Sequence, residues 1–157
     1  MEKNIQFREA RPEEIQAITD LVLGVFNKYV GHGYSEEGQS AFCLYCNTNA
    51  MLKRLTEGIS FFLVAIFEQK IIGMIEVRNQ NHIALLFVDD RYHKKGIAKK
   101  LISLAIERAQ VTEIDVNSSP YAVNIYARIG FQQVDHEQER DGIRFIPMKK
   151  IVNQSKN

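Results

Sequence analysis

Three nearly unbroken apolar runs, residues 61–67, 71–77 and 82–88, crowd into one stretch of the chain and constrain its fold more than any other feature. A strand with one wet face alternates apolar and polar residues, whereas runs like these belong to a sheet covered on both faces. Glu68-Gln-Lys70 is a turn, so the first two runs form a hairpin. Cover must then come from amphipathic helices. Ile15, Ile18, Val22, Val25, Phe26 and Tyr29 follow helical spacing after Pro12 and two acids, and that helix ends around Gly31-His-Gly33. Phe42, Tyr45, Leu52 and Leu55 read as the inner stripe of a second helix, closed by Gly58.

Ile97, Leu101, Leu104, Ala105 and Arg108 mark a helix over about 95–109. A short strand follows at 112–116, then a helix over 120–129, capped by Ser118 or Ser119 and stopped by Gly130. Residues 131–134 and 143–148 finish the sheet as a pair, and 5–8 open it. The order is β-α-α-β-β-β-α-β-α-β-β. It describes an α/β (α+β) chain with a mixed sheet, helices on both faces, and a right-handed parallel crossover over 82–116. One domain over 1–150 and a frayed tail over 151–157 are expected.

The net charge is +1, so no global field recruits nucleic acid or an anionic membrane. No run approaches the roughly 18 apolar residues of a membrane span, and residues 1–11 lack an apolar signal core, so a cytoplasmic protein is expected. Cys43 and Cys46 form a lone C-x-x-C inside a helical pattern, with no second ligand pair for zinc. Two reduced, partly buried thiols and no metal are expected.

The stretch from Val88 to Leu101 joins a buried strand to an amphipathic helix. Such a junction presents unpaired N–H groups at the positive end of a helix, where phosphate binds. Gly96 permits close backbone approach, and small Ala98 leaves room beside it. Arg91, Lys94, Lys95, Lys99 and Lys100 crowd the helix start, where positive charge is locally unfavourable. A basic run alone is usually a solvated face. Here it coincides with strand, turn, glycine and helix, and a polyanionic ligand turns the conflict into a favourable contact.

His93-Lys-Lys-Gly96-Ile-Ala98 resembles the Gln/Arg-x-x-Gly-x-Gly/Ala motif with which GNAT acetyltransferases grip the pyrophosphate of CoA; His93 replaces the usual Gln or Arg. Ser119-Pro-Tyr-Ala122, Tyr126 and Gly130-Phe131 resemble the family's later motif, and the element order is similar from end to end. The resemblance implies acetyl-CoA as co-substrate, held by His93, Lys94, Lys95, Gly96, Ile97, Ala98 and Lys99. The backbone of Leu86, Phe87 and Val88 would pair with pantetheine where two parallel strands splay, and an N–H there would polarise the thioester carbonyl.

Tyr126 stands where the family's Tyr acts as general acid toward the CoA sulfur. Two residues compete as base. His82 takes the place of a catalytic Glu in the histone acetyltransferase branch, and histidine is the side chain whose ordinary pKa lies nearest neutrality. Glu76 is a lone carboxylate in an apolar strand, where partial burial would raise its pKa. His32 is a further candidate to line the cleft. By the same resemblance, residues 29–42 and 135–144 wall the acceptor pocket. Their acids (Glu36, Glu37 and the run from Asp135 to Glu139) either attract a cationic amine or are merely solvated.

The implied partner is a small-molecule or peptide amine, with no nucleic acid and no membrane, and a homodimer is admitted. The implied activity is an N-acetyltransferase working through a ternary complex. A CoA-binding sensor without turnover is the rival class, and a nucleic-acid-binding module resting on the lysines alone is the third.

Overall fold

The apolar runs occupy the middle of the sheet. The structure, a computed structural model, describes residues 4–152. Among the described residues the strands are β1 (Gln6–Glu9), β2 (Ser60–Phe67), β3 (Lys70–Arg78), β4 (His82–Val88), β5 (Glu113–Ser118), β6 (Gln132–Gln133), β7 (Gln138–Arg140) and β8 (Ile143–Ile151). Their spatial order is β1-β2-β3-β4-β5-β8-β6, with β7 paired to β8. Every pairing is antiparallel except β4 with β5.

Helices α1 (Ile15–Val25), α2 (Glu36–Tyr45) and α3 (Thr48–Thr56) lie over one face, while α4 (Ile97–Ala109) and α5 (Val123–Ile129) lie over the other. Alternate residues of β2 therefore enter different cores. Phe62 and Val64 pack with Ile15, Ile18 and Val22; Phe61 and Leu63 pack with Leu101, Ile102 and Ala105. Each such side chain, once fully buried, contributes about 1.5–3 kcal/mol of transfer free energy. Gly73 on β3 lets α4 settle closely, because a Cβ there would stand 3.1 Å from Ile97 Cγ2.

The structure departs from the sequence reading in four places. The expected second helix is two helices, because Asn47 starts a new one by accepting from the Ala50 N–H at 2.8 Å. The two cysteines, expected to be partly buried together, differ in exposure: Cys43 is exposed on α2, whereas Cys46 is buried at its C-cap. The final pair gains a third strand, β7. β8 continues through Ile151, which pairs with Glu113, so residue 151 belongs to the sheet and not to the expected tail; residues 153–157 lie outside the described residues. No helix among the described residues is long and apolar enough to cross a membrane.

Candidate active site

Two irregularities in β4 create the site. Against β3, Glu76 pairs with Leu85 and Val77 with Ile83, which leaves Ala84 as an extra residue, a β-bulge. The bulge resets the alternation: Ile83 packs with α4, but Leu85 and Phe87 join the core beneath α1. Against β5, the pairing runs only from His82–Asp115 to Ile83–Val116. Beyond that point the β5-facing edge of β4 has no strand partner among the described residues. A groove of about 470 Å3 opens between the two strands, a volume that suits a small-molecule site.

The turn after β4 leaves the start of α4 accessible. Asp89 accepts from the Arg91 N–H at 3.0 Å and from its guanidinium at 2.9 and 3.2 Å, which holds the Asp89 carboxyl below its ordinary range. His93 Nε2 donates to the Val88 carbonyl at 2.9 Å and ties the turn back to the strand. Lys94 (φ +67°) and Gly96 (φ +77°) take left-handed backbone. Gly96 is the N-cap of α4 and offers no side-chain cap, and a Cβ on it would meet nothing within 4 Å. The N–H groups and dipole at the start of a 13-residue helix thus face open space, an arrangement that favours anions. Lys94 and Lys99 line the groove beside them. Arg91 is paired with Asp89, and Lys95 and Lys100 are not among the lining residues.

The wall opposite comes from β5 and α5. Ser119 caps the 3-10 turn after β5, accepting from the Ala122 N–H at 3.2 Å, and this places Tyr126 on the groove. The Tyr126 ring packs edge-on against Phe131, with centroids 5.3 Å apart. Its hydroxyl makes no hydrogen bond among the described residues, and no fully buried side-chain oxygen there lacks a partner, so the hydroxyl meets the groove. Burial pushes the phenol pKa well above its ordinary value, which keeps it protonated at neutral pH.

Neither candidate base lines the groove. His82 sits at the start of β4, about 20 Å along the strand from Val88, where its Nδ1 pairs with the Asp115 carboxylate. Glu76 is neither lone nor partly buried. It is 0% exposed and accepts from Arg54 Nε (2.7 Å) and Nη2 (3.1 Å), the Ser60 hydroxyl (2.6 Å) and the Tyr45 hydroxyl (3.2 Å). Four donors hold it in the interior, away from the groove where a substrate would sit. His32 is exposed and also off the groove.

Of residues 29–42, Val30, Tyr34 and Phe42 reach the groove; none of 135–144 does. The β7–β8 turn instead packs on α2, where a Cβ at Gly38 would stand 2.2 Å from the Gly142 carbonyl oxygen. α1 continues as a π-helical turn, Phe26–Val30, which carries Tyr29 over Tyr121 (centroids 5.9 Å) and toward His93 (6.1 Å). The Tyr29 hydroxyl donates to Asp90 at 2.7 Å, and together with the Lys28 ammonium it holds the Asp90 carboxyl far below its ordinary range. Sequence reasoning missed Val25, Asn117, Tyr121, Ile125 and Arg128 as lining residues. The signal for Asn117 and Tyr121 was available: ligands of open α/β sheets sit beyond the carboxyl ends of parallel strands, here β4 and β5.

Comparison with known proteins gives the arrangement a family. A model described as "Acetyltransferase (GNAT) domain" matches residues 30–152. The chain is 27% identical over 135 residues to the "Uncharacterized N-acetyltransferase YafP" of Escherichia coli (strain K12), covering 86% of each. A GCN5-related N-acetyltransferase structure from Rhodopseudomonas palustris is similar with a TM-score of 0.81 at 19% identity, over 96% of this chain and 97% of that one. PaiA N-acetyltransferase of Thermoplasma acidophilum, solved in complex with coenzyme A, gives 0.79 at 22% identity, over 94% and 99%. The two structures share the fold, and the family model covers both the turn after β4 and Tyr126. The chain belongs to the GNAT acetyltransferase family.

Proposed function

We propose that the protein transfers an acetyl group from acetyl-CoA to a primary amine, which attacks directly while both substrates are bound. The observation that carries this reading is one continuous groove joining the open edge of β4, the uncapped start of α4 and Tyr126. Acetyl-CoA supplies an acetyl group already activated as a thioester. The N–H groups around Gly96 and Ile97, beside Ala98, bind its diphosphate, with Lys94 and Lys99 adding charge. Lys95 contributes to the positive field of the turn, and His93 fixes the turn's shape through Val88. The backbone of Leu86, Phe87 and Val88 orients the amide-bearing arm.

Tyr126 holds a proton at the groove and gives it to the departing sulfur. Neither His82 nor Glu76 lines the groove, and no Asp or Glu among the described residues does, so neither candidate base is retained; His93 lines it with its Nε2 committed to the Val88 carbonyl. The amine arrives uncharged or loses its proton through water.

The lack of a carboxylate on the groove among the described residues also favours a second reading, a CoA-binding sensor without turnover. Free-thiol release from acetyl-CoA across a panel of primary amines separates the two. Amine-dependent release supports transfer. CoA binding without amine-dependent release supports the sensor and overturns transfer.

A further inference from the structure

The groove has two ends of different chemistry. Lys94 and Lys99 mark the end at α4, whereas the end beneath α1 and α2 is walled by Val25, Val30, Tyr34, Phe42, Leu85 and Phe87. The rings there support one another. Phe42 stacks on Phe26 with centroids 3.9 Å apart, Phe87 meets Phe42 at 65°, and Tyr34 meets it edge-on at 89°. Such a wall offers ring faces and edges to another aromatic or bulky apolar group.

The surrounding acids are engaged elsewhere. Glu76 is satisfied by Arg54, Ser60 and Tyr45. Asp89 holds Arg91, and Asp90 holds Lys28 and Tyr29. Asp135 pairs with His136, and Glu137 with Arg144, on a hairpin that does not reach the groove. Glu36 and Glu37 are exposed in the first turn of α2. A second ammonium on the acceptor would be desolvated here with no carboxylate to meet it.

We propose that the acceptor is a primary amine carried on an aromatic or bulky apolar body with no second positive charge, an inference that rests on the acetyl transfer proposed above. The apolar wall takes the body, and the amine projects toward the opening between β4 and β5. The Tyr34 hydroxyl, which makes no hydrogen bond among the described residues, is the neutral polar handle on this wall. An apolar site of this kind also lowers the pKa of a bound ammonium, so it favours the neutral nucleophile without a carboxylate base. The amine nitrogen forms the new bond to the acetyl carbon as the carbon–sulfur bond breaks. One proton leaves the nitrogen for water, the sulfur departs as the thiol of CoA with the Tyr126 proton, and water returns a proton to Tyr126.

The test compares 2-phenylethylamine with spermidine on the full chain, first by calorimetry with CoA saturating and then by thiol release from acetyl-CoA. The aromatic amine is expected to bind and to react on the order of 100-fold better in kcat/KM. Val30→Asp, which puts a carboxylate on the half-buried wall, is expected to shift that ratio at least about tenfold toward spermidine. Binding of 2-phenylethylamine without thiol release upholds the acceptor class and overturns the transfer reading. Faster release with spermidine does the reverse. Binding of neither amine overturns the acceptor class.

Discussion

The Arg54 guanidinium and the Glu76 carboxylate form a bidentate pair between α3 and the sheet, with Nε 2.7 Å from Oε2 and Nη2 3.1 Å from Oε1. The Arg54 guanidinium also lies over the Tyr45 ring, 3.6 Å from its centroid, and Tyr45 in turn accepts from Arg78 Nη1 at 2.8 Å. Charge buried in this way is tolerated because every member has a partner, and it becomes costly when one is removed.

Arg54→Met is therefore expected to destabilise the fold by about 3–5 kcal/mol, since it strands the Glu76 carboxylate. Arg54→Met combined with Glu76→Leu is expected to recover most of that loss, because no buried charge remains. Urea unfolding followed by circular dichroism measures both. A single variant with the parent's midpoint would show that the pair contributes nothing.

Alkaline pH attacks the same region. Burial, followed by the Glu76 charge, pushes the Tyr45 phenol up to about 12, and burial raises Tyr126 as well. Both values stand above the ordinary phenol near 10, so the folded chain keeps protons that the unfolded chain releases. The contribution is full below about pH 10 and is lost as pH rises toward about 12. Stability from these groups is expected to be flat from neutrality to about pH 10 and to fall above it, with phenolate absorbance appearing as the chain unfolds. Tyr45→Phe is expected to flatten that fall. A decline centred near neutral pH would contradict the assignment.

Tyr126→Phe removes one oxygen and leaves the ring against Phe131. It is expected to lower kcat by about 100-fold while KM for acetyl-CoA stays within about threefold. Steady-state thiol release gives both parameters. Equal kcat in variant and parent would remove Tyr126 from proton transfer.

The acceptor's own titration is expected to govern the pH dependence of kcat/KM, because no Asp or Glu among the described residues lines the groove. Two primary amines whose pKa values differ by about two units should give profiles displaced by about the same amount. Superimposable profiles would point instead to an enzyme group as the base.

What the sequence makes legible is local. The apolar runs announce a doubly covered sheet, and Gly96 between a buried strand and the Ile97–Leu101 stripe announces an open helix start. What stays hidden depends on long-range contacts. Glu76 reads as a lone acid because its donors Ser60, Arg54 and Tyr45 stand 16, 22 and 31 residues away. The Ala84 bulge has no composition of its own, since it is a register shift against β3, yet it decides that Phe87 faces α1. The break at Asn47 escapes notice because Leu52 and Leu55 keep a helical spacing with Phe42 and Tyr45 across it.

The central claim is that the start of α4 receives the diphosphate of CoA, and calorimetric titration of CoA into the parent chain and Gly96→Glu tests it most directly. The φ of +77° at Gly96 costs any side chain about 1–2 kcal/mol, so a thermal melt first establishes that the variant is folded. Micromolar binding by the parent is expected, with affinity lost by on the order of 100-fold or more in the variant, where a carboxylate meets phosphate. Gly96→Glu that is folded and binds CoA as the parent does would contradict the claim.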